Sequence, residues 1–500
     1  MAPSSSQWQA LGGEAVEAVL RSGAVALLDA DWVVKQADAG GILKRRQDLP
    51  SEAFITLDEL KEIGAIPATP NWSASLPIIV VSCEGAQGVE HRSPPVWAFP
   101  VNARALPFVP DPWLEPDHPD SKGQWLRLVG IALRMWMDPG ATGASSKARR
   151  NGIMWDFPSL HQHPPGGERS ELEDNLFKQA LGSLANFYSH PAIAVFKLTC
   201  FPEGYPQGYT LVTAGANVKD YPDRGWTFTE SCWASMSKPR DLTLDLGLLN
   251  VDALASFSFP RVGLVKQCTQ GGGRLPPPLP ADFARLIEDK SFTNGKDDRP
   301  LVVRLYAEAF ERNMGQASTL DYSDLKWGDD ESRQVRSLLP SASGLKSLSM
   351  TGNAIHYDEA TQLANAVLAV PTLESFGGIP IAGLRADRLI VLRIKSTSLG
   401  MAEALVLSAL LEDAPSVTEC NVRGKGLDSA SASLLSKVAV AKGILLFGIK
   451  HDQAEAKYPN RKLTPVDLIL IGSDLRVGAS LTSIDLRGNK LGVEGWTTIF

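Results

Sequence analysis

Short, unbroken apolar runs alternate with helix-length amphipathic stretches through the first half of the chain. "LPIIVVSC" (76–83) is a run of the kind buried on both faces of a parallel sheet, and it predicts a strand. "GQWLRLVGIALRMWM" (123–137) has helical spacing, with Leu126, Val129, Leu133 and Trp136 along one side. "NGIMWDF" (151–157) predicts the next strand. In "SELEDNLFKQALGSLANFYS" (170–189), Ser170 and Glu173 stand in capping-box spacing, and Leu172, Leu176, Ala180, Leu184 and Phe187 run down one face. "AIAVFKL" (192–198) predicts a third strand and "GWTFTESCWASMSK" (225–238) a third helix. Strands alternating with helices over short links imply an α/β fold with a doubly wound parallel sheet, because each crossover needs a helix to return the chain. Ligands of such sheets sit beyond the carboxyl ends of the strands, which points to the loops after Val81, Trp155 and Leu198. Residues 1–70, including "EAVEAVLRSGAVALLDADWVVKQAD", read as helices that brace the sheet.

The pattern changes near "CTQGGGRLPPPLP" (268–280), whose Gly and Pro exclude a helix or central strand and mark a boundary. Beyond it, "LKSLSMTGNAI" (345–355), "LIVLRIKSTSL" (389–399), "VTECNVRGKGL" (417–427) and "LTSIDLRGNKL" (481–491) share one leucine-spaced pattern, with helical stretches between them. The steps from Leu345 to Leu373 and from Leu389 to Val417 are both 28 residues, the period of long leucine-rich repeats with a strand and a helix per unit. "ILLFGIK" at Ile444 is a degenerate copy, the unit at 373 is irregular, and "HDQAEAKYPNR" reads as an insertion. The expected layout is therefore a helical segment (1–70), an α/β domain (71–267), a linker with connecting helices (268–335) and an α/β repeat solenoid (336–500). The last apolar stretch stops without a polar capping unit, so truncation of the array at Phe500 is expected. Lys395, Arg423, Lys450 and Arg487 fall at equivalent positions and form a basic stripe suited to an acidic protein partner on the concave face; hydrated strand-end charges are the alternative.

Composition narrows the function classes. With 44% hydrophobic and 21% charged residues the chain is typical of a globular protein, and a net charge of −7 excludes a dense phosphate-binding surface. Nucleic acid is thus not an expected partner. No apolar run approaches the roughly 18 residues of a membrane span, and no signal peptide opens the chain. Five scattered cysteines, without a C-x-x-C pair, fit free thiols in a cytoplasmic setting. There is no P-loop pattern.

The α/β segment resembles the Toll/interleukin-receptor-type (TIR) and fungal heterokaryon-incompatibility (HET) domains, in the arrangement that carries leucine-rich repeats behind the domain. The resemblance rests on "VVS" closing the first strand, "WLEPDHPDSKG", "MWDFPSLHQ", "ALGSLANFYSH" and "DRGWTFTE", and covers roughly residues 20 to 330. Trp155-Asp156…Gln162 is similar to a HET stretch, and Trp226 followed by Glu230 is similar to a plant TIR pattern. The chain departs from the family in a Pro-rich insertion, 84–112, between Ser82 and Trp113, and in Thr227 where Cys is common.

The resemblance implies a flavodoxin-like sheet that either self-associates in signalling or cleaves the nicotinamide–ribose bond of NAD. It assigns Glu230 the catalytic position and Ser82, Trp113, Asp156 and Trp226 the positions that line the nucleotide. The chemistry is consistent with one carboxylate, because nicotinamide leaves from an already cationic substrate and only the oxocarbenium-like transition state needs stabilising. On a helix Trp226 and Glu230 share a face; the plain alternative is a core Trp and a solvated Glu. Asp117, His118 and Asp120, and the pair His161 and His163, are loop residues more easily explained by turns than by a metal. Cys232 has no basic neighbour in sequence to activate it. No cofactor is expected, with NAD as substrate if the site is active. Two functions follow: recognition and signalling without chemistry, or NAD cleavage with the repeats as sensor.

Overall fold

The computed structural model describes residues 8–62, 78–83, 114, 118–138, 150–164, 166–205, 207, 223–253, 259–270, 274–292, 295–396, 398–478, 480–489 and 491. The chain divides into two compact units, Met1–Asn313 and Met314–Phe500.

In the first unit the elements run α1 (Glu14–Arg21), β1 (Leu27–Asp29), α2 (Ala30–Asp38), β2 (Phe54–Ile55), α3 (Leu57–Glu62), β3 (Ile78–Cys83), α4 (Gln124–Met137), β4 (Gly152–Trp155), α5 (Asp156–Ser159), α6 (Glu171–Ser189), β5 (Ala194–Leu198), α7 (Gly225–Ala234), β6 (Thr243–Asp245), α8 (Pro260–Cys268), α9 (Pro280–Leu286) and α10 (Gly295–Gln316). The six strands form one sheet in the order β2-β1-β4-β3-β5-β6. β3 pairs in parallel with β4 and β5, β5 pairs in parallel with β6, and β1 runs antiparallel to β2 and β4. The apolar runs explain the burial. Ile79, Val81, Ile153, Trp155, Ala194 and Phe196 enter one core with α2, α4 and α8. Ile78, Val80, Met154 and Val195, which point to the other face by strand alternation, are buried as well. A sheet covered on both faces and mostly parallel is what the continuous apolar runs require.

Residues 8–62 are not as purely helical as the reading of this segment: the stretch from Glu14 to Asp38 holds two helices and a strand. Gly23, at φ 76°, turns the chain after α1, and the buried run Leu27–Asp29 joins the sheet between β2 and β4. The Asp29 carboxylate then accepts from the amides of Asp31 and Trp32 and starts α2. α6 begins as expected, with Ser170 and Glu173 capping each other's backbone.

The second unit alternates short strands with helices: β7 (Thr319–Asp321), α11 (Asp329–Leu338), β8 (Ser347–Ser349), α12 (Tyr357–Ala369), β9 (Ser375–Phe376), α13 (Ile381–Arg385), β10 (Val391–Leu392), α14 (Met401–Glu412), β11 (Glu419–Cys420), α15 (Ser429–Lys442), β12 (Glu455–Lys457), α16 (Pro465–Val477) and β13 (Ser483–Asp485). Parallel partners lie 28 residues apart throughout: Thr319 with Ser347, Ser347 with Ser375, Val391 with Glu419, and Glu455 with Ser483. Asn353 shows why this spacing holds. Its side-chain oxygen accepts from the amides of Leu325 and Trp327, and its amide donates to the carbonyls of Tyr322 and Met350. Asn489 repeats the arrangement on Arg461, Leu463, Tyr458 and Leu486. Each Asn thus fastens one turn to the next.

Three features correct the sequence reading. The first strand of this unit is β7, so the repeating pattern begins before residue 336, and the Gly/Pro stretch 268–280 lies inside the first unit. "HDQAEAKYPNR" is not an insertion, because it contains β12, in register with β13. The disguise comes from Ala456 standing where a Leu usually packs. The "ILLFGIK" segment makes only an isolated bridge from Leu445 to Glu419, and its amides turn elsewhere. Leu446, Phe447, Gly448 and Ile449 all donate to the buried carboxylate of Asp474 on α16. The strands accordingly fall into three ladders, β7-β8-β9, β10-β11 and β12-β13.

Candidate functional site

β3 and β5 are neighbours in the sheet, yet the chain reaches β4 on the far side of β3 before it returns to β5. The connections thus part to either side of β3, and α/β sheets collect ligands at the carboxyl ends of strands at such a switch point. Ser82 is the fifth residue of β3 and is buried at this edge. Its hydroxyl donates a 2.5 Å hydrogen bond to Oε2 of Glu230 on α7. The side chain that the resemblance placed at the reaction centre therefore meets the next-to-last residue of the first parallel strand, across 148 positions of sequence.

α7 is seated by its first residue. A side chain on Gly225 would come within 2.0 Å of the Phe292 ring, and the Gly225 amide donates to the Ser291 carbonyl at 2.8 Å. Only glycine permits that approach, and it explains the Arg-Gly pair ahead of the helix. The following turns bring Glu230 to the strand edge, where it is partly buried. Burial pushes its carboxyl up to about 8; the nearby Asp156 charge pushes the same way, while hydrogen bonds from Ser82 and Tyr188 pull against them. Asp156 directly follows β4 and opens α5, with Oδ1 accepting from the Phe157 amide at 2.6 Å. Gln162 donates to the Asp156 carbonyl at 3.2 Å, so the Trp-Asp…Gln stretch is one folded turn. Two carboxyls, a serine hydroxyl and a tyrosine thus share one strand edge.

Tyr188, near the carboxyl end of α6, was not singled out by sequence. Its ring is buried and lies 6.1 Å from Trp233. Only its place on the apolar face of an amphipathic helix was legible, and that reads as core.

The Trp226 indole N–H donates to Asp298 on α10 at 3.1 Å. Trp113 and the insertion 84–112 lie outside the described residues, as does Asp117.

The remaining loop candidates have structural work. His118 accepts from the Asp120 amide through Nδ1 and pairs Nε2 with the Leu43 carbonyl. Asp120, fully buried, accepts from the amides of Gln124 and Leu126 at the start of α4. His161 and His163 approach Glu173 and Glu168 at 3.6 and 3.2 Å. Among the described residues no group of three His, Cys, Asp or Glu side chains is placed to hold a metal ion, and no helix is long and apolar enough to cross a membrane. Burial pushes the Cys232 thiol up to about 12, which keeps it from acting as a nucleophile.

In the second unit Lys395, Lys450 and Arg487 are exposed. Arg423 lies over Phe447 and Tyr458, 4.9 and 5.4 Å from the ring centres. Arg487 pairs with Asp485 at 2.8 Å, so its charge is already half answered. Lys395, Arg423 and Arg487 all follow the last residue of their strands.

No family model matches the chain, and no curated protein matches it.

Proposed function

We propose that this is a recognition protein whose first unit cleaves the nicotinamide–ribose bond of NAD at Glu230 and whose second unit captures a protein partner. The Ser82–Glu230 contact near the carboxyl end of β3 carries the reading. A doubly wound, flavodoxin-like sheet of the TIR/HET type is supported by the strand order and by burial on both faces. A leucine-rich-repeat solenoid is supported by the 28-residue pairing and the paired Asn fastenings.

In the proposed reaction the C–N bond breaks and nicotinamide leaves neutral with the electron pair. The ionised Glu230 carboxylate stabilises the oxocarbenium-like ribose, and water then adds to the sugar carbon and releases a proton. Glu230 starts protonated near neutral pH. A bound pyridinium would favour its ionised form, since an opposite charge nearby lowers a carboxyl pKa. Ser82 keeps one carboxylate oxygen in place.

The test is incubation of the purified chain with NAD, following free nicotinamide. Wild type should release it, and Glu230→Ala should reduce the rate at least about 100-fold. An inert wild type at high concentration would leave the second reading, in which the sheet unit docks or self-associates without chemistry. The Trp226–Asp298 bond favours that reading, because it gives the indole N–H a structural partner on α10.

For the second unit, an acidic protein surface is the proposed partner of Lys395, Arg423 and Lys450. Reversing Lys395 and Arg423 to Glu together should weaken recovery of the captured partner several-fold, more so at low salt. Unchanged recovery removes the stripe.

A further inference from the structure

Two helices of the second unit bury a carboxyl at the same position with unlike neighbours. Glu359 and Glu403 are the third residues of α12 and α14, and both are buried. Glu359 is answered from the helix before it. Its Oε1 accepts from the Ser332 hydroxyl and the Arg336 Nε–H, and its Oε2 from the Arg336 Nη2–H, at 3.2 to 3.3 Å. α14 packs chiefly on α12, past the five-residue α13. One 28-residue step carries Ser332 and Arg336 to Ala360 and Ala364, both buried on α12. At the two positions from which α11 answers Glu359, α12 therefore has only methyl groups. Oε2 of Glu403 accepts from the Gly400 amide at 3.0 Å, while Oε1 is enclosed and has no hydrogen-bond partner among the described residues.

This carboxyl stands where the strands part, because β9 ends one ladder and β10 opens another. Gly377, directly after β9, runs against Glu403: a side chain there would come within 2.5 Å of Cγ and 3.0 Å of Oε1. The charges of the surrounding elements are engaged elsewhere. Arg336 holds Glu359 of α12, and Arg385 of α13 donates to the Leu368 and Val370 carbonyls. Lys425, after β11, donates to the Ile394 and Ser396 carbonyls, and Asp428 caps α15 at the Ser431 amide. Arg393 and Lys395, after β10, are exposed. Burial pushes the Glu403 carboxyl up to about 7, against the Glu403 and Gly400 amides.

We propose that Glu403 is a proton-controlled latch in the repeat unit: with its proton it lets the β7-β8-β9 ladder close against the turns that follow, and without it this seam opens. A buried carboxylate with one oxygen facing no donor is costly, and opening the seam gives that oxygen water. The carboxyl titrates near 4.5 in the open seam and near 7 in the closed one. Opening is therefore least below 4.5, grows as pH rises between the two values, and levels off above 7. The latch requires neither Glu230 nor the basic stripe.

The test is hydrogen exchange of the full chain from about pH 5 to 8, read by mass spectrometry and corrected for the intrinsic rise of amide exchange with pH. The Gly377, Leu399 and Ala404 amides, bonded to the Leu348, Lys425 and Gly400 carbonyls, report the seam. The Tyr458 and Asn460 amides, bonded to the Asp485 and Arg487 carbonyls, serve as reference in the last ladder. Relative to them, seam opening should rise up to about tenfold per pH unit to pH 7 and then level off. Glu403→Gln should abolish the rise and keep the protection seen at low pH. Ala360→Ser, a milder change that restores the hydroxyl Ser332 gives Glu359, should reduce the rise several-fold. If Glu403→Gln does not fold, the wild-type profile and Ala360→Ser still decide. Seam protection that follows the reference at every pH, the same rise in folded Glu403→Gln, or an unreduced rise in Ala360→Ser overturns the latch.

Discussion

Glu230 gathers into one side chain what separates a solvated helix carboxylate from a desolvated, hydrogen-bonded one. Desolvation and the Asp156 charge raise it to about 8, so the folded chain holds this proton more tightly than the unfolded chain, where the group titrates near 4.5. A raised carboxyl pKa makes stability fall as pH rises between those two values, by about 1 kcal/mol per pH unit while the folded group stays protonated. Glu403, held at about 7 by burial, acts the same way below 7, so the window from 7 to 8 belongs to Glu230 among this pair. Denaturant unfolding of wild type and Glu230→Gln at several pH values checks this: the difference in stability should shift against wild type as pH rises, and Asp156→Asn should move the window down. Parallel curves for wild type and Glu230→Gln would mean the carboxyl is not perturbed. At this scale the placement of Ser82, Asp156 and Glu230 was legible, because Ser82 lies near the end of a plain strand pattern, Asp156 follows another, and Glu230 lies within a plain helix. Tyr188 and the Trp226–Asp298 bond were not, since both depend on how separate helices pack, and a tyrosine on an apolar face looks the same whether or not its hydroxyl reaches a carboxylate.

Among the elements, the long ones were readable and the short ones deceptive. β3, α4, α6 and β5 begin within about two residues of their apolar patterns, because burial on both faces leaves no polar interruption. β1 and β2 were hidden by their two- and three-residue length and by antiparallel pairing, which needs no helix between strands. β12 was hidden because Ala456 and Tyr458 replace the expected leucines while the backbone keeps its register. The Asn fastenings give the repeats a measurable signature. Asn353→Ala removes three hydrogen bonds between successive turns and one local bond to the Met350 carbonyl, and should cost about 2–3 kcal/mol in denaturant unfolding. Asn421→Ala should cost under about 1 kcal/mol, because Asn421 is exposed and reaches the next turn only through one 3.3 Å bond to the Phe447 carbonyl. Equal costs would show that the turns are held by packing alone.

On the scale of the molecule, two unlike units share the chain, and each presents charge where its architecture leaves room. The sheet unit places carboxyls at the carboxyl ends of its strands. The repeat unit exposes cations beyond its strand ends. Two units were readable from the switch between strand–helix alternation and a 28-residue period, whereas the division at Asn313 was not, because α10 carries no break in pattern where the contacts change. The account stands on Glu230 acting as an ionised carboxylate in a site that keeps it protonated when empty. The direct measurement is kcat/KM for nicotinamide release from NAD across about pH 5 to 10, a profile that reports the ionisation of the free protein. The rate should rise about tenfold per pH unit and level off near the Glu230 value of about 8. A flat profile, or release that persists in Glu230→Gln, would contradict it.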